Sequence, residues 1–152
     1  MRRLQALSIA LLVAVAAAGC GEGGTESGAT VSVYVAAPLC REARQQLRAA
    51  GGKAGDLTLR AVCLPPVEKK GRADLATAGR NARRATEDAT AVAYLEAPGA
   101  GAEFSRSIVE SAEITWLETS SGAREMDHVV AALEKRGSSS PRSAVRESLE
   151  SG

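Results

Sequence analysis

Four short apolar runs rich in β-branched residues alternate along the chain with stretches whose apolar positions recur every three or four residues. Thr30 to Ala37, Leu57 to Leu64, Thr90 to Leu95 and Ile114 to Leu117 are near-continuous apolar segments. That is the pattern of strands buried on both faces of a parallel sheet. Between them Leu39, Ala43, Leu47 and Ala50, then Leu75, Ala78, Ala82 and Ala85, then Phe104, Ile108 and Ala112 each trace one apolar face of a helix. Met126, Val129, Val130 and Leu133 follow at i, i+3, i+4 and i+7, the strongest amphipathic signal in the sequence. The order βαβαβαβα predicts a doubly wound α/β lobe over residues 30–136. Its core is an open parallel sheet of about four strands, Rossmann-like or flavodoxin-like, with flanking helices and right-handed crossovers. Ser138 to Pro141 breaks the last helix, and residues 137–152, with only Val145 and Leu149 as apolar anchors, read as a disordered tail.

The first residues follow a different logic. Arg2 and Arg3 precede an apolar run from Leu7 to Ala18, which is shorter than the roughly 18–20 residues of a membrane-spanning helix and ends in small residues. Residues 1–19 therefore read as an export signal. Gly21 to Ala29 is Gly-rich and polar, so residues 20–29 read as a flexible tether.

Composition narrows the chemistry. Of 152 residues 45% are hydrophobic and 24% charged, but only 3% are aromatic, so Ala, Val and Leu must build the core. The 19 basic side chains lose two with the signal, leaving 17 against 18 acidic ones, which argues against nucleic acid as a partner. One histidine and three cysteines leave little material for a metal site or a His-based catalytic centre. Neither a cofactor nor an enzymatic activity is expected.

Cys40 follows the first strand and Cys63 ends the second. Consecutive strands of such a sheet commonly lie side by side and parallel, which puts both thiols at one sheet edge. In an exported protein the pair tends to oxidise, and closing a loop of ~24 residues is worth on the order of 3 kcal/mol. Two buried free thiols are the alternative. A redox-active pair lacks the Cys-x-x-Cys spacing.

Two resemblances add to this. Ala17-Ala18-Gly19-Cys20 resembles the lipobox of bacterial lipoproteins. The resemblance implies cleavage before Cys20, lipid on its thiol, and a position at the outer face of the cytoplasmic membrane or in the periplasm. Several acyl chains on one cysteine suffice for stable attachment, each buried methylene contributing ~0.8 kcal/mol. Val33 to Leu39, Asn81 to Ala85 with Glu87-Asp88, and Thr90 to Leu95 resemble the first lobe of branched-chain amino-acid-type (type I) periplasmic binding proteins. The likeness runs from about Thr30 to Thr119. It implies a receptor that hands an amino-acid-like ligand to an ABC permease, although the family has two lobes and only one is visible here.

The same resemblance places ligand contacts in the loop after the third strand, at Gly99, Ala100, Gly101 and Ala102, and after the fourth, at Thr119 and Ser120. Ala100 and Ala102 lack the hydroxyls that the family uses, Glu118 stands where its serine is expected, and Glu103 puts a carboxylate where a carboxylate ligand would dock. The other functional class is a non-enzymatic envelope lipoprotein, a structural or interaction protein or a degenerate remnant without a ligand site. An apolar patch where the second lobe would pack favours a protein partner for it.

Other candidates have plainer readings. Gly99-x-Gly101 lacks the third glycine of a dinucleotide fingerprint and is a tight turn. His128 is solvated surface beside Asp127. Arg83 with Glu87 and Arg84 with Asp88 are i, i+4 pairs worth ~0.3–0.5 kcal/mol each on a solvated helix face. Trp116 is packing at the core or lobe edge.

Overall fold

The computed structural model describes residues 28–69 and 71–150. The expected export signal, Cys20 and most of the tether lie outside them. Four strands form the parallel part of the sheet: β1 (Thr30–Val35), β3 (Leu57–Cys63), β6 (Ala91–Glu96) and β7 (Thr115–Glu118). β2 (Lys53–Ala54), joined to β3 by a two-residue turn, adds an antiparallel fifth strand at the edge. Gly55 holds that turn at φ +58°, a conformation in which a side chain is strained. The strand order is β2-β3-β1-β6-β7. The parallel strands alone thus read 2-1-3-4, the flavodoxin-like form of the doubly wound sheet.

Alternation along β1 sets the two faces. Val31, Val33 and Val35 join Leu39, Cys40, Ala43 and Leu47 of α1 (Ala37–Ala49) and Met126, Val129, Val130 and Leu133 of α4 (Gly122–Glu134) in one buried cluster. Tyr34 faces the other way, with Tyr94 and Ile114, toward Ala82 and Ala85 of α2 (Leu75–Thr86) and Val109 of α3 (Ala102–Glu110). The buried positions of α2 include Ala78, Ala82 and Ala85, small side chains that allow close approach to the sheet. A small hairpin, β4 (Glu68–Lys69) and β5 (Arg72–Ala73), connects β3 to α2.

Five sequence expectations change. Residues 137–152 are not simply a disordered tail, because Pro141–Glu150 form helix α5. Ser140 accepts a hydrogen bond from the Ser143 amide, and Pro141 with its fixed φ suits the first helical position, so the residues read as a helix breaker also start a helix. Pro141, Ala144 and Val145 are buried, and Leu149 packs on the α1/α4 cluster. Leu75 and Phe104 do not lie on inward faces: they are 47% and 44% exposed, and Ala102, Ser105 and Val109 form the buried side of α3. The expected Arg84–Asp88 pair is replaced by Arg60 with Asp88 at 3.4 Å, across β1, and no Arg83–Glu87 pair is found among the described residues. His128 is a surface residue that is paired, its Nδ1 lying 3.2 Å from Glu125. Gly28 and Ala29, assigned to the tether, already bond to the start of β3 through Gly28 N–H to Asp56 and Ala29 C=O from Thr58.

Candidate functional site

In a doubly wound sheet the crossovers on either side of the first strand diverge, leaving a crevice at the carboxyl ends of the strands. Here the divergence falls between β1 and β6. β1 connects through α1 to its neighbour β3, and β3 connects through α2 to β6 on the opposite side of β1. A crevice of about 600 Å³ lies at that point.

Three segments wall it: Ala36 to Pro38 after β1, Pro65 to Glu68 with Gly71 and Ala73 after β3, and Glu96 to Ala102 after β6. Each has a local cause. Pro38 sits in the first turn of α1, where its missing N–H costs nothing. Pro65 and Pro66 cannot donate to a sheet ladder, so β3 stops before them and the chain turns into the hairpin. Asn81 is 4% exposed and donates from Nδ2 to the Pro65 carbonyl at 2.9 Å, while the Asp74 amide donates to Val67 at 2.6 Å. Both bonds seat the hairpin wall on α2. The disulfide between Cys40 and Cys63 joins α1 to the end of β3, with 5.6 Å between the Cα atoms, and so ties two of the three walls together.

Most of the lining is aliphatic: Ala, Pro, Gly and Val. The only charged side chains among the described lining residues are Glu68 and Glu96, and both are acidic. Glu96, the last residue of β6, is 2% exposed and accepts a 2.7 Å hydrogen bond at Oε2 from the Ser105 hydroxyl of α3. In the β6–β7 register it stands beside Glu118. Burial pushes the Glu96 carboxyl above the ordinary carboxylate range, and the Ser105 and Tyr94 hydroxyls pull it back only in part, while Glu118 pushes it further up. The Tyr94 hydroxyl, two residues earlier on the same strand face, lies beside the carboxyl but short of hydrogen-bond geometry. Burial first, then Glu96, raises its pKa far above the usual phenol range.

Two helices begin at the crevice without a side-chain cap, α1 at Ala36 and α3 at Gly101. Their N-terminal backbone brings positive dipole ends to the same opening as the buried acid.

Of the residues proposed from sequence, Gly99, Ala100, Gly101 and Ala102 line the crevice. Thr119 and Ser120 do not. Thr119 is 4% exposed, receives the Ser121 amide at 3.1 Å and lies 3.3 Å from Glu125, so its hydroxyl serves the start of α4. Ser120 is exposed. Glu103 is also outside the lining residues, on the exposed side of the first turn of α3. The sequence reading missed the role of Glu96. Its only signal was a carboxylate ending an otherwise apolar strand. Comparisons with family models, curated proteins and solved structures give no match.

Proposed function

We propose that this chain is a lipid-anchored, single-lobe binding module that holds a small amino-acid-like solute in the switch-point crevice, as an accessory to ABC-type transport at the cell envelope. The observation that carries the reading is the composition of that crevice: aliphatic walls, one buried carboxyl and two uncapped helix N-termini meeting in about 600 Å³. A zwitterion with a small apolar side chain complements all three, its carboxylate taking backbone N–H groups and its amine the acid. The anchor rests on Cys20 and its lipobox-like surroundings. Mass spectrometry of the membrane-extracted chain is expected to find diacylglyceryl-modified Cys20 at the N-terminus. A thermal melt of the same material against amino acids and small carboxylates is expected to rise by several degrees with at least one of them, since selective binding to the folded state adds RT ln(1 + [L]/Kd).

A specific observation favours a second reading, an envelope interaction lipoprotein. Phe104 is 44% exposed and lies over Gly79 of α2, and Leu75, one helical turn before Gly79, is 47% exposed. Together they put two large apolar side chains on the α2/α3 surface. A sharp melt with no ligand shift, together with co-purification of an envelope protein lost in a Leu75→Ser, Phe104→Ser variant, supports that reading over the first.

A further inference from the structure

We propose that Glu96 makes the crevice a cation subsite, selecting ligands that carry a short aliphatic primary amine and rejecting the same molecules without it. This rests on the crevice being the binding site, and it goes further by fixing which end of the ligand is read by a side chain.

The chemistry is set by what surrounds the opening. The lining holds two acidic side chains and, among the described residues, no basic one. Among the described lining side chains an anionic group placed there meets only like charge, whereas an ammonium meets a carboxylate already removed from water. Glu96 is positioned for this. The Ser105 hydroxyl donates to Oε2, and the Tyr94 hydroxyl lies beside the carboxyl without closing a hydrogen bond to it. A carboxylate has more acceptor capacity than one hydroxyl satisfies, and a buried one left partly unsatisfied is costly. Ser105 itself is fully buried and also bonds the Ala102 carbonyl, so it holds the carboxyl in one orientation from the first turn of α3. The aliphatic character of Ala36, Ala37, Val67, Ala97 and Pro98 sets the other half of the specificity: the body of the ligand is small and apolar.

The arrangement also makes binding depend on pH. Among the described residues, the titratable groups around Glu96 are Tyr94 on its own strand, Glu118 on β7 and Glu68 on the hairpin wall. None supplies positive charge, so burial keeps the empty site's carboxyl protonated to a higher pH than an exposed glutamate. Ammonium binding requires the ionised form. Affinity therefore falls as the solution is acidified, and the loss begins above the ordinary carboxylate range.

The test compares three probes on the full, detergent-extracted chain: leucine, 3-methylbutylamine, which lacks the carboxylate, and 4-methylpentanoate, which lacks the amine. Leucine and 3-methylbutylamine are expected to raise the melting temperature and 4-methylpentanoate to leave it unchanged. Glu96→Gln is expected to weaken amine binding at least tenfold, and Glu68→Gln to weaken it less because Glu68 is exposed. The shift with 3-methylbutylamine is expected to fade on acidification in the native chain. Binding of 4-methylpentanoate equal to that of leucine overturns the subsite and leaves the crevice reading standing. Binding of no probe overturns the subsite and counts against the crevice reading as well. Amine binding that survives Glu96→Gln and is flat with pH also overturns it. The probe comparison needs no variant, so it decides the matter even if Glu96→Gln does not fold.

Discussion

Arg142 of α5 reaches back along the sheet and donates from Nε to the carbonyl of Ala91, at the first residue of β6, over 2.8 Å. The same guanidinium donates to Ala112 at 3.2 Å and approaches Asp88 and Ala89 at 3.4 Å. One side chain thus satisfies carbonyls of the loops that precede β6 and β7. Arg142→Ala is expected to lower the unfolding free energy by ~2 kcal/mol, the usual worth of hydrogen bonds to a charged donor. Urea titration followed by circular dichroism reads it directly, and an unchanged midpoint refutes the latch.

Gly122 opens α4 against the first turn of α1. A Cβ there collides with the Leu39 carbonyl oxygen and comes within 3.1 Å of the Leu39 Cβ. Gly122→Ala is expected to cost about 1–3 kcal/mol, because backbone cannot swing aside as a flexible side chain can. Gly99→Ala is the control on the crevice wall. Nothing lies within 4 Å of the new methyl, and its stability is expected within ~0.5 kcal/mol of the parent in the same titration.

Reducing the Cys40–Cys63 bond frees a loop with a sequence separation of 23 residues in the unfolded chain. The expected loss is about 3 kcal/mol, seen as a lower urea midpoint with reductant. A Cys40→Ala, Cys63→Ala variant is expected to match the reduced protein and to be insensitive to reductant.

A half-buried carboxyl, Asp88, and a buried one, Glu96, push stability in opposite directions with pH. Burial works to raise the Asp88 pKa, but the Thr90 hydroxyl and amide, with Tyr34 and Ser32, outweigh it and hold it below the ordinary value. Its contribution is present above the unfolded pKa and is lost as pH falls through the folded one. Asp88→Asn is therefore expected to lower stability at neutral pH by ~1–3 kcal/mol and to flatten the acid limb. Glu96 is raised when folded, so the native state holds its proton longer and stability falls as pH climbs from the unfolded pKa to the folded one. Glu96→Gln is expected to remove that decline. Melting temperatures across the acid range of both variants test the two signs together.

The four parallel strands and the four helices between and after them were legible because each is a local pattern with a single reading, whereas the cysteine pair was read from expected strand adjacency, with two free thiols as the alternative. A run such as Thr30 to Val35 is too apolar for a surface strand, and i, i+3, i+4, i+7 spacing has no other periodic solution. Legibility failed where one signal supports two outcomes. Ser140-Pro141 ends one helix and begins another, and whether α5 forms depends on Val145 finding a cluster already built by α1 and α4. Phe104 fits a helical apolar stripe, yet α3 turns Ala102, Ser105 and Val109 inward and lays the Phe104 ring over Gly79 of α2.

By itself the sequence determined the class of fold and the near balance of acidic and basic side chains. These follow from composition and from periods of two and 3.6 residues, which the backbone imposes wherever the chain lies. Only the tertiary structure decided the site. Glu96, Ser105, the hairpin wall and the start of α1 are separated by up to about 70 residues, and no local pattern relates them. Strand order brings them to one opening, and burial there changes Glu96 from an ordinary surface acid into a desolvated carboxyl with one hydroxyl partner. Solvation is a property of the assembled environment, so the protonation of that group, and the charge the crevice prefers, exist only once the chain has folded.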